Sequence, residues 1–271
     1  MEKFQLIPFL KIDGIGAASG IVCLNNSLFI ISDNSTVLYH YNLSEKIYEK
    51  IKLFENRTEV AAKKDKPDFE AITLFNNKLY LFGSGSTKKR NTRISVNLIN
   101  NEIKVKDLSK IYKRLIESIS IADKDLNIEG AVISDKTIYF FQRGNCSSAP
   151  NGIFCYNKKS KSVQFKVITL PKISGIECTF TDAILIDHTI YFLAAAENTT
   201  STYDDGEVMG SIIGTIDLKT MNLKNYLQIG DKHKFEGLTF YKKTATQIEL
   251  LLCEDNDTEG LLSVIYKLTI D

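Results

Sequence analysis

The chain has 271 residues, 44% hydrophobic and 25% charged, which is an ordinary globular balance with enough material for a core. Lys and Arg number 34 against 33 Asp and Glu, a net charge of +1, which excludes the basic footprint of a nucleic-acid binder and a bulk attraction to anionic membranes. No apolar run is long enough to span a bilayer, and MEKFQLIPFLKIDG lacks the apolar region and small-residue cleavage site of a signal peptide. The cysteines, Cys23, Cys146, Cys155, Cys178 and Cys253, are odd in number and form no CxxC pair. Reduced thiols in a soluble, cytoplasmic protein are therefore expected.

In chain order, the first predicted element is a strand, FQLIPFLKI from Phe4. Unit one is ASGIVCLNNSLFIISDNS from Ala18, turning at Asn25-Asn26, with TVLYHYN from Thr36 behind it. Unit two is FEAITLFNNKLYLFGSGS from Phe69, turning at Asn76-Asn77. KDLSKIYKRLIESI follows from Lys106, with Ile111, Leu115 and Ile119 at helical spacing and Ser109 placed to cap, so a short packed helix is predicted over 109–119. Unit three is IEGAVISDKTIYFFQRGN from Ile128, turning at Ser134-Asp135, then GIFCYN from Gly152. Unit four is TDAILIDHTIYFLAAAENT from Thr181, turning at Asp187-His188, then IIGTIDL from Ile212. Unit five is FEGLTFYKKTATQIELLLCEDND from Phe235, turning at Lys242-Lys243, then SVIYKLTI from Ser263.

Each unit is an apolar run, a polar turn and a second run rich in β-branched and aromatic residues, which is a hairpin signature. Each opens on an acidic or hydroxyl residue followed by Gly or Ala. Taking Ser19, Glu70, Glu129, Asp182 and Glu236 as anchors, the separations are 51, 59, 53 and 54 residues, a period that suits propeller blades. The last unit lacks an outer strand, and FQLIPFLKI can supply it and remove the exposed edge. The predicted fold is all-β, a single domain over residues 1–271: a five-bladed β-propeller closed by the N-terminal strand.

A hairpin reverses direction, so the start of its first strand and the end of its second lie on one face. The anchors therefore meet the segments SDNS (32–35), GSGS (83–86), QRGN (142–145), AENT (196–199) and EDND (254–257) at one mouth of the ring. Carboxylates from Glu70, Glu129, Asp182 and Glu236 would repel there unless protonated, paired with bases or bound to a cation. Oxygen-only donors, with Ser19 adding a hydroxyl, suit a hard cation, and a wide, flexible cage favours Ca²⁺ over Mg²⁺. The alternative is that these groups only accept backbone N–H bonds at strand starts.

Further candidates lie on the same face. Ser84, Ser86 and Arg90 form a Gly/Ser loop with guanidinium groups nearby, either an anion cradle or ordinary turn material. Arg143 and Asn145 close the third hairpin, where the arginine either neutralises the carboxylates or grips a small anionic ligand. Glu197 and Asn198 begin a long polar loop, and Glu254 and Asp255 end the fifth hairpin. His233, near Glu236, and Glu254 are candidates to move a proton.

The hairpins resemble those of the calcium-activated nucleotidases, or soluble apyrases. That resemblance implies a five-bladed propeller with Ca²⁺ at its centre, held by one residue from the start of each inner strand in the order Ser, Glu, Glu, Ser, Glu. Ser19, Glu70, Glu129 and Glu236 match. At the fourth place either Asp182 or Thr181 stands for the serine. Arg143 falls where that family carries an arginine, whereas GSGSTKKR does not match its second-unit loop. The combination of GSGS, QRGN and AENT…DG…GSIIG more closely resembles an uncharacterised bacterial propeller family of unknown function, and phytase-like and lactonase propellers are more distant. Acidic and basic groups focused on one face fit a calcium-dependent hydrolase of an anionic phosphoester, anhydride or other ester, or else a binding module for a small molecule or protein with a structural metal.

Overall fold

The computed structural model describes residues 3–55, 57–62, 64–144, 149–199, 206–255 and 261–271. Strand β1 (Phe4–Asp13) precedes five small antiparallel sheets. Blade one is β2 (Ala18–Leu24), β3 (Ser27–Ser32), β4 (Val37–Asn42) and β5 (Ile47–Lys52). Blade two is β6 (Phe69–Phe75), β7 (Lys78–Gly83), β8 (Thr92–Asn97) and β9 (Ile103–Asp107), followed by α1 (Ser109–Ile119). Blade three is β10 (Ile128–Ile133), β11 (Thr137–Gln142), β12 (Gly152–Asn157) and β13 (Val163–Val167). Blade four adds a two-residue strand beside the start of its inner one and comprises β14 (Lys172–Ile173), β15 (Ile176–Ile186), β16 (Thr189–Asn198), β17 (Glu207–Asp217) and β18 (Leu223–Gly230). Blade five is β19 (Phe235–Lys243), β20 (Ile248–Glu254) and β21 (Leu262–Ile270).

As the sequence predicts, β1 completes the last blade. It pairs antiparallel with β21, from Phe4 opposite Ile270 to Asp13 opposite Leu262. The inner strands β2, β6, β10, β15 and β19 touch in sequence, and β19 returns to β2, so the five blades form a closed ring.

The apolar core lies between successive blades. Phe82 and Phe140 meet edge to face at 5.4 Å, and Phe141, Phe180 and Phe192 do the same at 5.2 and 5.1 Å. Each is fully buried, which contributes roughly 1.5–3 kcal/mol per ring from apolar burial. The hairpin turns use residues that tolerate the left-handed region: Asn25, Asn76, Asn77 and Asp187 all have φ near +50°. The fifth turn departs from the prediction at Lys242-Lys243. Those two residues still pair with Glu249 and Ile248, and the chain reverses at residues 244–247, where the Thr244 N–H donates to the Gln247 carbonyl.

The helix spans the predicted residues but is capped and oriented differently. Ser109 donates its hydroxyl to Asp107 Oδ1, which also accepts the Ser109 N–H, so Asp107 receives the orphan donor. Tyr112 and Leu115 form the buried face, with Ile111 and Ile119 only partly covered. The Tyr112 hydroxyl donates to the Gly83 carbonyl at 2.7 Å. This ties the helix to the GSGS loop, where Gly85 has φ +82° and a Cβ would lie 2.6 Å from Leu126. The helix is thus a packed insertion.

Candidate functional site

All five inner strands carry a β-bulge at the same point near their start. The register shifts between Ala18 and Gly20, Phe69 and Ala71, Ile128 and Gly130, Phe180 and Asp182, and Phe235 and Gly237. The extra residues are Ser19, Glu70, Glu129, Thr181 and Glu236, and a bulge is a common device for re-aiming a side chain. The next residue is small in four blades because neighbouring inner strands touch there. A Cβ on Gly237 would lie 2.8 Å from the Cα of Gly20.

In blade four the ring position therefore belongs to Thr181, and the expectation for Asp182 is corrected. Asp182 stands one residue later, in the place of Gly20 and Gly237. Its Oδ1 accepts the Ala183 N–H and its Oδ2 accepts the Leu238 N–H of the next blade, both at 2.7 Å. Burial raises its carboxyl well above the ordinary range, against the lowering effect of those two N–H groups. Asp182 thus stitches β15 to β19. The two ring hydroxyls also link blades: Ser19 donates to the Phe69 carbonyl and Thr181 to the Phe235 carbonyl, each at 2.6 Å.

The three ring glutamates have different partners. Glu236 lies 2.9 Å from Lys234 Nζ. Glu129 accepts from Asn127 Nδ2 at 2.7 Å and from Arg143 at 3.4 Å, and Arg143 also pairs with Glu197. Glu197 in turn lies 3.6 Å from Lys234 and accepts the Gly206 N–H. Burial opposes the charge on Arg143 and Lys234, but the surrounding carboxylates raise both further above their usual values. Glu129 is pushed up to about 7, chiefly by burial, with Arg143 pulling against it and Glu236 adding to the shift.

Glu70 has no hydrogen bond or ion pair among the described residues. Burial raises its carboxyl well above normal, and Asp68, Glu129, Glu236 and Asp33 add to the rise. It forms a group with Asp33 and Asp68, each offering one oxygen, all within 4.8 Å of one another. Lys66 pairs with Asp33 Oδ2 and lies 2.8 Å from Asp68 Oδ1, while Asp33 Oδ1 is buried with no hydrogen-bond partner among the described residues.

Ser84, Ser86 and Arg90 support this group instead of cradling an anion. Ser84 donates to Asp68 Oδ2, Arg90 lies 2.8 Å from the same oxygen, and Arg90 also donates to Ser86 Oγ at 2.8 Å. Their polar groups are turned inward onto Asp68. Arg143 is likewise buried between Glu129 and Glu197, an arrangement that matches the first of its two sequence readings, neutralisation of the carboxylates. Sequence reasoning missed Asp33, Asp68, Lys66 and Lys234. The signal for the last three was available, as charged residues two to four positions before a ring glutamate.

The two proton-transfer candidates are brought together. His233 Nδ1 and Glu254 Oε1 are 2.7 Å apart at the mouth of blade five. Asn198 is exposed at the end of β16, opposite Glu207. Asp255 gives its backbone N–H to the Lys234 carbonyl. Asn145 lies outside the described residues.

The solved structures most similar to this chain include a Myxococcus xanthus glutaminyl cyclase, with TM-score 0.54 and 8% identity over 98% of this chain and 97% of that one. A second is the Kuenenia stuttgartiensis hydrazine synthase, with TM-score 0.45 and 12% identity over 90% of this chain; the match spans 57% of the synthase chain. At these identities the first likeness concerns the fold alone. The comparison with curated proteins returns no match. No helix among the described residues is long and apolar enough to cross a membrane. The profile of one family does match, over residues 14–270, and covers every ring residue: the chain belongs to the family of unknown function DUF6929.

Proposed function

We propose that this propeller binds a hard divalent cation, Ca²⁺ in preference to Mg²⁺, at Asp33, Asp68 and Glu70, and hydrolyses a small anionic phosphoester, anhydride or other ester on the same face. The observation that carries the reading is the Glu70 carboxylate, half-buried beside Asp33 and Asp68 and with no hydrogen bond or ion pair among the described residues. Such a group is costly unless neutralised. The donor set fits: it is all oxygen, and Asp33 Oδ1 is a buried acceptor without a donor among the described residues. Carboxylates drawn from two blades give the irregular cage that Ca²⁺ tolerates better than Mg²⁺ does. Glu129 and Glu236 are neutralised internally, so the centre is displaced toward blades one and two relative to a five-residue axial site.

When bound, the cation supplies positive charge that polarises an anionic substrate. The chain's own residues do the rest. Lys66, Ser84 and Arg90 fix Asp33 and Asp68. His233, backed by Glu254, takes a proton from the attacking water and returns it to the leaving group. Around the mouth, Asp33, Asp68, Glu70, Glu129, Glu197 and Glu236 outnumber Lys66, Arg90, Arg143 and Lys234. An anion therefore needs the bridging cation to approach.

The internal use of Arg143 and Arg90 favours a second reading, a non-catalytic binding module with a structural cation. A screen of nucleotides, phosphoesters, lactones and aryl esters, with Ca²⁺ or EDTA, separates the two. Turnover that needs Ca²⁺ and falls in Glu70→Gln and His233→Gln supports the hydrolase. Calcium-dependent stabilisation by an anion without turnover supports the binding module. Turnover that persists undiminished in EDTA contradicts both.

A further inference from the structure

The fifth blade carries a third member behind the His233 and Glu254 pair. Glu254 ends β20, and Tyr266 lies on the adjacent β21, opposite Leu252 and so displaced by two residues. The Tyr266 hydroxyl donates to Glu254 Oε2 at 3.1 Å, while Oε1 faces His233 Nδ1 at 2.7 Å. Both oxygens of one largely buried carboxylate, 13% exposed, are thus engaged from opposite sides.

We propose that Tyr266, Glu254 and His233 act as one proton-transfer unit, in which Tyr266 is a positioning residue that holds Glu254, and through it the tautomer of His233, so that Nε2 is the base for a water nucleophile. The inference deepens the hydrolase reading and rests on it for the identity of the reaction. An ionised carboxylate only accepts hydrogen bonds, so both its neighbours must donate. Nδ1 therefore carries the imidazole proton, and the lone pair is on Nε2. That atom has no partner among the described residues, and the side chain is 42% exposed, so a substrate can reach it.

Two aromatic rings pack against the imidazole. Phe235 stacks against it at 5.4 Å and 24°, and Tyr266 lies at 5.4 Å and 58°. The backbone is fixed as well: Ser211 Oγ donates to the His233 carbonyl at 2.6 Å and accepts the Phe235 N–H at 3.3 Å. Tyr266 stays a donor at neutral pH, because burial and the negative charge of Glu254 push its phenol up to about 12. Other charged groups beside His233 along the chain, among the described residues, are Asp231, Lys232 and Lys234. Lys234 is turned to Glu236, and Asp231 accepts from Gln228 at 2.8 Å.

In the step proposed, an O–H bond of water breaks as its proton moves to Nε2. The oxygen bonds to the ester carbon or phosphorus, and the leaving oxygen departs with the proton from Nε2. Glu254 offsets the transient imidazolium charge without itself taking a proton.

The test is ¹⁵N–¹H spectroscopy of the histidine rings in calcium-free, unliganded protein. The chain has three histidines, so His40→Gln and His188→Gln assign the signals. Wild type is expected to show His233 protonated on Nδ1 when neutral. In Glu254→Ala and Tyr266→Phe the tautomer protonated on Nε2 should rise several-fold, because the acceptor for Nδ1–H is lost in one and no longer held in the other. A neutral His233 protonated on Nε2 in wild type, or a tautomer balance unchanged in both variants, overturns the unit. Should either variant fail to fold, the wild-type tautomer decides by itself. A failed substrate screen alongside the predicted tautomer balance sinks the hydrolase reading alone.

Discussion

The Ser19 hydroxyl donates to the carbonyl of Phe69, 2.6 Å away on the next blade, from the same bulged position that carries a glutamate in blades two, three and five. Thr181 repeats the contact to Phe235. Two of the five ring places are therefore inter-blade ties, and the remaining three concentrate negative charge.

Ser19→Ala and Thr181→Ala should each lower stability by about 1–2 kcal/mol, because a buried carbonyl loses its donor. Thr181→Ser, which keeps the hydroxyl, should cost less than Thr181→Ala. Urea unfolding of the single and double variants checks this. The two effects should be close to additive, as the ties lie at separate blade junctions.

Arg143→Ala should be far more damaging, by about 3–5 kcal/mol, since it leaves Glu129 and Glu197 buried without their shared cation. Adding Glu197→Gln should recover part of the loss. If Arg143→Ala unfolds at the same denaturant concentration as wild type, the arginine is not neutralising the ring.

The pH dependence of the calcium-free protein should run downhill above pH 5. Glu129 and Glu70 have folded pKa values above those of the unfolded chain, with Glu129 near about 7. The native state therefore holds protons that the unfolded chain has released. Their contribution is complete below the unfolded value of about 4.3 and is lost as pH rises through the folded one. Scanning calorimetry in EDTA should show Tm falling by several degrees between about pH 5 and pH 7.5, with a smaller fall in Glu70→Gln. A Tm that rises steadily over that interval would exclude raised carboxyls at the centre.

Much of the architecture was legible because its signals are local. The five hairpins repeat, the last unit lacks an outer strand that Phe4–Asp13 supplies, and the helical period marks Ser109–Ile119. The convergence of strand starts with the second-strand ends follows from antiparallel pairing, and it placed the candidate face. The register at Thr181 and Asp182 was not legible. A bulge is a backbone feature, and the pattern of an acid followed by a small residue fits Asp182-Ala183 as well as it fits Glu236-Gly237. The pairing of charges was hidden for another reason: Lys66 meets Asp33, and Lys234 meets Glu197, only when separate blades close the ring. Ser84, Ser86 and Arg90 look like a ligand cradle in sequence because nothing local shows Asp68 reaching them first.

The most direct test of the central claim is the thermal unfolding of wild type and Glu70→Gln, each measured in EDTA and in excess Ca²⁺. Glu70→Gln removes a half-buried carboxylate that lies beside Asp33 and Asp68 and forms no ion pair among the described residues, so in EDTA the variant should melt above wild type. A cation that binds only the native state adds stability in proportion to its affinity, so in Ca²⁺ the order should reverse, with wild type above the variant. Such a crossover is what a carboxylate kept for a cation predicts. Curves for wild type that coincide in EDTA and Ca²⁺, with the variant equal or higher in both, would contradict it and leave Lys66 as the cation of the centre.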